Sequence, residues 1–179
     1  NNGALVASGT TNANGEVTFS DLVAGSYLVK ETATNSSYNL TSTASQGVTI
    51  TTNGQTQTVT FYNDVKKGSI KVSKRDVELG TCNPLGKASF SGTTFQIINN
   101  SVQPISYGGN TIASGAVVDE KSLGASGCEI TFTDLPYGSY IVKEISVGTG
   151  YLVNSSTKTV TIPTSNSVNL STTIDNQVI

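Results

Sequence analysis

The sequence predicts an all-β protein built from two serial copies of one antiparallel sandwich. Three observations carry that expectation. The first is an internal repeat: Gly15-Glu16-Val17-Thr18-Phe19-Ser20-Asp21-Leu22-Val23-Ala24-Gly25-Ser26-Tyr27-Leu28-Val29-Lys30-Glu31 returns as Cys128-Glu129-Ile130-Thr131-Phe132-Thr133-Asp134-Leu135-Pro136-Tyr137-Gly138-Ser139-Tyr140-Ile141-Val142-Lys143-Glu144. The offset of 113 residues also relates Tyr38 to Tyr151 and Asn63 to Asn176, and only the Val-Thr-Ile run (48–50 against 160–162) slips by one. Self-similarity of this length means one structural unit used at least twice. The second observation is period-two alternation of β-branched and aromatic residues with polar ones, the pattern of half-buried antiparallel strands. The third is dense turn punctuation between those runs, with no segment of helical period.

In chain order, the predicted strands include Glu16–Phe19, Ser26–Val29, Gln57–Phe61, Ser69–Ser73, Thr94–Ile98, Glu129–Thr133, Ser139–Val142 and Leu170–Asn176. Asn14-Gly15, Asn53-Gly54, Gly108-Gly109 and Pro136-Tyr137-Gly138 supply the turns. Ser106-Tyr107-Gly108-Gly109-Asn110 reads as a loop and not a phosphate cradle, because no strand–loop–helix context surrounds it. The join near Asp64–Gly68 is short, which predicts modules set nearly end to end.

The copies are unequal. Ahead of Cys128 the second copy has a full lead-in from Gly68, whereas only Asn1–Asn14 precede Gly15. The first copy therefore lacks counterparts of Ser69–Asp76 and Thr93–Ile98. The expectation is a partial sandwich over residues 1–66, with its opening strands missing, and a complete one over 67–179. A sandwich short of two core strands exposes an edge and half a core. The missing strands are expected either from an upstream segment or from a neighbouring chain. Relative to the first copy, Ser101–Ser126 reads as an insertion.

Composition narrows the function. The net charge of −2 gives no electrostatic footprint for nucleic acid. No apolar run approaches a membrane span. Histidine, the commonest general base near neutral pH, is absent. No metal or cofactor is expected, and for lack of any convergent acid/base cleft an enzyme with turnover is the least favoured class. The two cysteines, Cys82 and Cys128, are expected to form a disulfide in an oxidising, extracellular setting.

The chemistry-bearing residues emerge from side-chain parity. Lys74 continues the face of Ile70 and Val72. Glu144 continues that of Tyr140 and Val142. Asn176 continues that of Leu170, Thr172 and Ile174. Three polar residues that each extend an inward register predict a buried cluster needing internal partners. Burial depresses a lysine pKa and leaves a nucleophilic amine. A carboxyl group beside it can shuttle protons and polarise the Asn carboxamide. The expected outcome is a Lys74–Asn176 isopeptide bond with loss of ammonia, a single-turnover reaction in which Glu144 acts as the catalyst. Lys71 is the rival nucleophile, but its parity points outward. In the first copy Glu31 and Asn63 repeat the reactive positions without a lysine strand.

Gly68-Ser69-Ile70-Lys71-Val72-Ser73-Lys74-Arg75-Asp76, the repeated Phe132–Glu144 segment, Gly150-Tyr151-Leu152 and Thr173-Ile174-Asp175-Asn176 together resemble the collagen-adhesin B-type (CnaB, SpaA-like) domains of Gram-positive sortase-assembled pilins and surface adhesins. The resemblance covers the whole second copy and the later part of the first. It implies tandem immunoglobulin-like, prealbumin-like β-sandwiches. It also implies Lys74 bonded to Asn176 with Glu144 as proton shuttle, and Glu31 and Asn63 in the matching roles. The expected function is a structural stalk or pilus-shaft segment at the cell surface or wall, whose partners are neighbouring modules or subunits of a fibre. The alternatives are an adhesin module binding a host or cell-surface ligand through the Ser101–Ser126 segment, and a filament subunit completed by a strand from a neighbour.

Overall fold

A computed structural model describes residues 3–40, 45–164 and 169–179. Those residues form thirteen strands and no helix. In chain order these are β1 (Gly25–Val29), β2 (Tyr38–Asn39), β3 (Gln46–Ile50), β4 (Asp64–Val65), β5 (Lys67–Asp76), β6 (Thr94–Asn99), β7 (Ile105–Tyr107), β8 (Asn110–Ile112), β9 (Val117–Ser122), β10 (Glu129–Pro136), β11 (Gly138–Ser146), β12 (Thr157–Ile162) and β13 (Asn169–Asn176). The chain divides into two units. One comprises Asn1–Thr34 and Leu40–Asn63, the other Asn35–Asn39 and Asp64–Ile179.

The second unit is a sandwich of a three-stranded sheet, ordered β10-β5-β13, and a four-stranded sheet, ordered β12-β11-β6-β9. β5 is the middle of the first sheet, antiparallel to β10 and parallel to β13. Alternation on these strands sends Ile70, Val72, Phe132, Leu135 and Ile174 from one sheet to meet Phe95, Ile97, Tyr140, Val142 and Ile162 from the other in one buried cluster. Each large side chain taken fully from water contributes about 1.5–3 kcal/mol. Tyr140 is fully buried, so its hydroxyl needs a partner and donates to Pro136 O at 2.6 Å. Asp134 adopts φ 59° where the β10 register shifts between Phe132 and Leu135. Aspartate tolerates this left-handed conformation better than most residues.

Two segments differ from the sequence expectation. Ser106–Asn110 is not a free loop. It is the tip of the β7–β8 hairpin, and Gly108 and Gly109 take the two consecutive positive φ values, 57° and 80°, that a tight hairpin turn demands. Nor is Ser101–Ser126 an insertion throughout. β9 lies within it and pairs with β6, and at the 113-residue offset its counterpart is residues 4–9.

The first unit keeps what is local and loses what needs partners. β1 pairs with β3 from Gly25↔Ile50 through Val29↔Gln46. This is the register of Gly138↔Ile162 in the β11–β12 pair. Tyr27 Oη donates to Val23 O at 2.6 Å, and Asp21 has φ 58°, the counterparts of Tyr140 and Asp134. The expected strands Glu16–Phe19 and Gln57–Phe61, however, form no ladder. Their counterparts β10 and β13 both bond to β5 and not to each other, and the first unit's described residues include no equivalent of β5. β1 and β3 pair because their counterparts are direct neighbours. Burial follows. Phe19, Leu22, Tyr27, Val29 and Phe61 are only partly buried. Phe132, Leu135, Tyr140, Val142 and Ile174, which occupy the same places in the second unit, are at most 1% exposed.

A disulfide joins Cys82 to Cys128 across a Cα–Cα distance of 5.6 Å, within the bridging range. It ties the loop after β5 to the entry of β10, beside the Lys74 N–H, which donates to Cys128 O at 2.7 Å. Replacing both cysteines by serine is expected to destabilise the second unit by about 2–4 kcal/mol. Thermal unfolding of oxidised wild type against the double variant measures the difference.

Candidate functional site

The inward face of β5 reads Ile70, Val72, Lys74, Asp76, and all four side chains are fully buried. The parallel register sets Lys74 beside Ile174 and Asp76 beside Asn176. The Asn176 side chain therefore lies one inward step further along β13 than the position opposite Lys74, within reach of a long side chain. From the opposing sheet, β11 brings Tyr140, Val142 and then Glu144 to the same interior. Parity thus converges three polar groups from three strands, as the sequence implied.

Glu144 bridges the other two. Lys74 Nζ lies 3.1 Å from Glu144 Oε1. Asn176 Nδ2 donates to Glu144 Oε2 at 2.6 Å and to Leu152 O at 2.6 Å. The Lys74–Glu144 approach is a charge contact without hydrogen-bond alignment, so Nζ and Oε1 are both buried without a hydrogen bond, as is Asn176 Oδ1. The Asn154 N–H holds Oε2 from the side at 2.7 Å. Phe90 and Tyr151 wall the site. Their rings stack at 5.0 Å and lie 5.8 and 5.9 Å from Lys74 Nζ. Gly148 lets the loop bearing Phe90 close in, since a Cβ there would collide with the carbonyls of Ser89 and Ser91.

Burial lowers the Lys74 pKa below the ordinary lysine value, against opposition from Glu144 and, more weakly, from Asp175 and Asp76. Asp76 is held low. Desolvation pushes it up, but hydrogen bonds from the Leu79 and Glu78 N–H groups and the Tyr151 hydroxyl outweigh that push. Lys71 sits outside, 3.0 Å from Glu129, and is not part of the site.

In the first unit Asn63 Nδ2 donates to Glu31 Oε1 at 2.8 Å and to Thr34 Oγ1 at 3.2 Å. Glu31 and Asn63 therefore meet as Glu144 and Asn176 do. Phe90, Asn154 and Leu152 were not picked out from sequence, since each acts through a ring face or a backbone group; Asp76, which acts through its carboxylate, was also missed, although it continues the inward parity of Ile70, Val72 and Lys74. Tyr151 carried a signal in its repetition of Tyr38. The pairing Tyr38↔Val65 recurs, at the same offset, as the bridge Tyr151↔Val178.

A family model for SpaA, described as a prealbumin-like fold domain, matches residues 1–65 and again 68–177. The chain belongs to this family. Among solved structures, the Bacillus anthracis TIE protein is 23% identical, with a TM-score of 0.69 over 94% of this chain and 28% of its own. The group B streptococcus pilus 2b backbone protein is 20% identical, with a TM-score of 0.46 over 77% of this chain and 45% of its own. A minor pilin of Streptococcus agalactiae is 23% identical, with a TM-score of 0.44 over 94% of this chain and 66% of its own. The chain thus spans only part of the length of these proteins. No curated protein sequence matches it significantly. The TIE protein likeness, at its level of identity, shows that the prealbumin-like fold is shared.

The lysine makes a pH prediction. In an Asn176→Ala variant Lys74 has no carboxamide beside it and titrates as an amine. Its folded pKa lies below the unfolded value of about 10.4, so between the two the unfolded chain binds more protons. Stability should therefore rise with pH through that window and fall as pH drops through the folded value. Denaturant unfolding across the alkaline range should show this slope, and adding Lys74→Met should flatten it.

Proposed function

We propose that the chain is a structural segment of a cell-surface fibre, a stalk or pilus shaft, whose second unit is closed by an isopeptide bond between Lys74 and Asn176. The observation that carries this reading is the two-sided grip of Glu144. One oxygen faces the amine and the other accepts from the amide nitrogen that would leave.

The reaction balances on these three residues. The lowered pKa supplies neutral Lys74, whose Nζ attacks Asn176 Cγ. Glu144 takes a proton from the attacking nitrogen at Oε1 and passes that same proton to the departing Nδ2. The Nζ–Cγ bond forms, the Cγ–Nδ2 bond breaks and ammonia leaves. A groove lined by Val77, Leu152, Asn154, Asp175 and Asn176 gives it a way out. The fold holds the reacting groups in place, which replaces a second-order encounter by a local one. The two stacked rings exclude water.

The mechanical sense lies in strand order. Lys74 is on the first long strand of the unit and Asn176 on the last, and they are parallel neighbours. A covalent tie between them blocks separation of the two strands by which a load through the chain ends would open the sandwich. The disulfide and the resemblance to surface pilin and adhesin domains support an extracellular location, with neighbouring modules or subunits as partners. Glu31 and Asn63 form a second reactive pair. The adhesin reading draws no support from Ser101–Ser126. The only aromatic residue there is Tyr107, whose hydroxyl is taken by Asp119 Oδ2 at 3.0 Å.

Peptide mapping of the purified protein should find a branched fragment joining the Lys74 and Asn176 peptides, lighter by one ammonia than their sum. A Glu144→Gln variant should keep the fold and show the two peptides separately. Unjoined peptides in the wild type would refute the bond.

A further inference from the structure

Asp76 is a buried carboxylate that the reaction above leaves unused. It continues the inward face of β5 beyond Lys74, is fully buried, and stands beside Asn176 in the parallel register. Its two oxygens have separate partners. Oδ1 accepts the N–H groups of Glu78 and Leu79, both at 2.9 Å, and so closes the turn after β5. Oδ2 accepts the Tyr151 hydroxyl at 2.7 Å. One oxygen serves the turn, and the other reaches the wall of the reactive site.

That wall aims the amine. Lys74 Nζ makes no hydrogen bond. Its place is set by the Glu144 carboxylate at 3.1 Å and by the rings of Phe90 and Tyr151 at 5.8 and 5.9 Å. The two rings stack on each other, so a shift of one is felt by the other. Phe90 has no polar group to anchor it. Tyr151 has one, and it is pinned twice: the hydroxyl donates to Asp76 Oδ2 and accepts the Leu85 N–H at 3.1 Å. The Leu85 carbonyl in turn accepts the Ala88 N–H, in the segment that leads to Phe90. A single carboxylate oxygen is thus the fixed end of a chain of contacts that runs through the Tyr151 hydroxyl to both rings.

We infer that Asp76 is a positioning residue for the crosslinking reaction: through the Tyr151 hydroxyl it holds the ring wall that keeps the Lys74 amine against Glu144 and Asn176. The inference rests on the isopeptide reading of the second unit and adds to it a residue that acts only through another side chain. A misplacement of about 1 Å in a reacting pair costs on the order of a hundredfold in rate. The tether therefore shows in how fast the bond forms, not in whether the sandwich folds.

The test uses the full 179-residue protein, made by cell-free synthesis under oxidising conditions, quenched in acid at intervals and weighed intact. Loss of one ammonia against time gives the rate. A wild type that keeps its full mass overturns the isopeptide reading and this inference with it, whereas a wild type that reacts leaves the variants to decide on Asp76 alone. Asp76→Ser keeps an acceptor for the turn N–H groups but does not reach Tyr151. Tyr151→Phe keeps the ring and removes the hydroxyl. Each should slow the reaction by about ten- to a hundredfold. The double variant should be no slower than the slower single one, because both substitutions cut the same tether. Asp76→Asn, whose amide N–H donates to Tyr151 Oη in place of the lost acceptor, should bring the rate back close to that of wild type. Rates are compared at a temperature where the same substitutions, placed on Glu144→Gln, leave the protein folded. Where Asp76→Ser does not fold, Tyr151→Phe against Asp76→Asn makes the same distinction. Additive slowing in the double variant, an Asp76→Asn protein as slow as Asp76→Ser or Tyr151→Phe, or a single Asp76→Ser or Tyr151→Phe variant that crosslinks at the wild-type rate would each overturn the inference.

Discussion

A lysine side chain with no access to water is the constraint on which the second unit turns. An ammonium group in an apolar core is expensive unless it is paired, deprotonated or consumed. Lys74 has Phe90 and Tyr151 around it and a single carboxylate, Glu144, against it. The other buried polar groups arrange themselves around that fact. Glu144 is steadied by Asn154, Asn176 is aimed by Leu152 and Glu144, and Asp76 is capped by two backbone N–H groups and the Tyr151 hydroxyl. The proposed bond would turn the amine into the nitrogen of a neutral secondary amide, which would leave no buried ammonium to stabilise.

The two copies act as a comparison within one molecule. Their local chemistry is the same. The Asp-Leu bend, the tyrosine hydroxyl bonded four residues back and the paired register of β1–β3 and β11–β12 all recur at fixed offset. What differs is the middle strand. Where β5 is present, ten residues of alternating pattern join two flanking strands into a sheet and bury a core. Where no equivalent is present, the flanking segments stay extended but unpaired, and the same apolar residues remain partly in water. The local turn and the hairpin-like pair are therefore properties of short sequence, whereas the sheet is a property of its central member.

Much of this was legible in the residues because parity is a strict code in a strand. Lys74, Glu144 and Asn176 could be placed on inward faces from alternation alone, and the repeat doubled the evidence for Glu31 and Asn63. Less legible was anything defined by the third dimension. Phe90 sits in a turn, and its approach depends on Gly148, far away in sequence. Asn154 acts through its backbone. The β7–β8 hairpin is three residues a side, too short for its alternation to stand out from a glycine-rich loop. Glu16–Phe19 and Gln57–Phe61 have sound strand patterns, and pattern alone does not reveal that a partner is missing.

On the proposed function the second unit withstands force through a clamp between its first and last long strands, and pulling on it tests that most directly. In single-molecule stretching through attachments just before Lys67 and after Ile179, the wild-type unit should yield no length from the segment between Lys74 and Asn176 up to rupture of covalent bonds. Lys74→Ala should release that segment in one step once the Cys82–Cys128 disulfide is reduced. A wild-type unit that, under the same reducing conditions, extends by its full unfolded length would contradict the account.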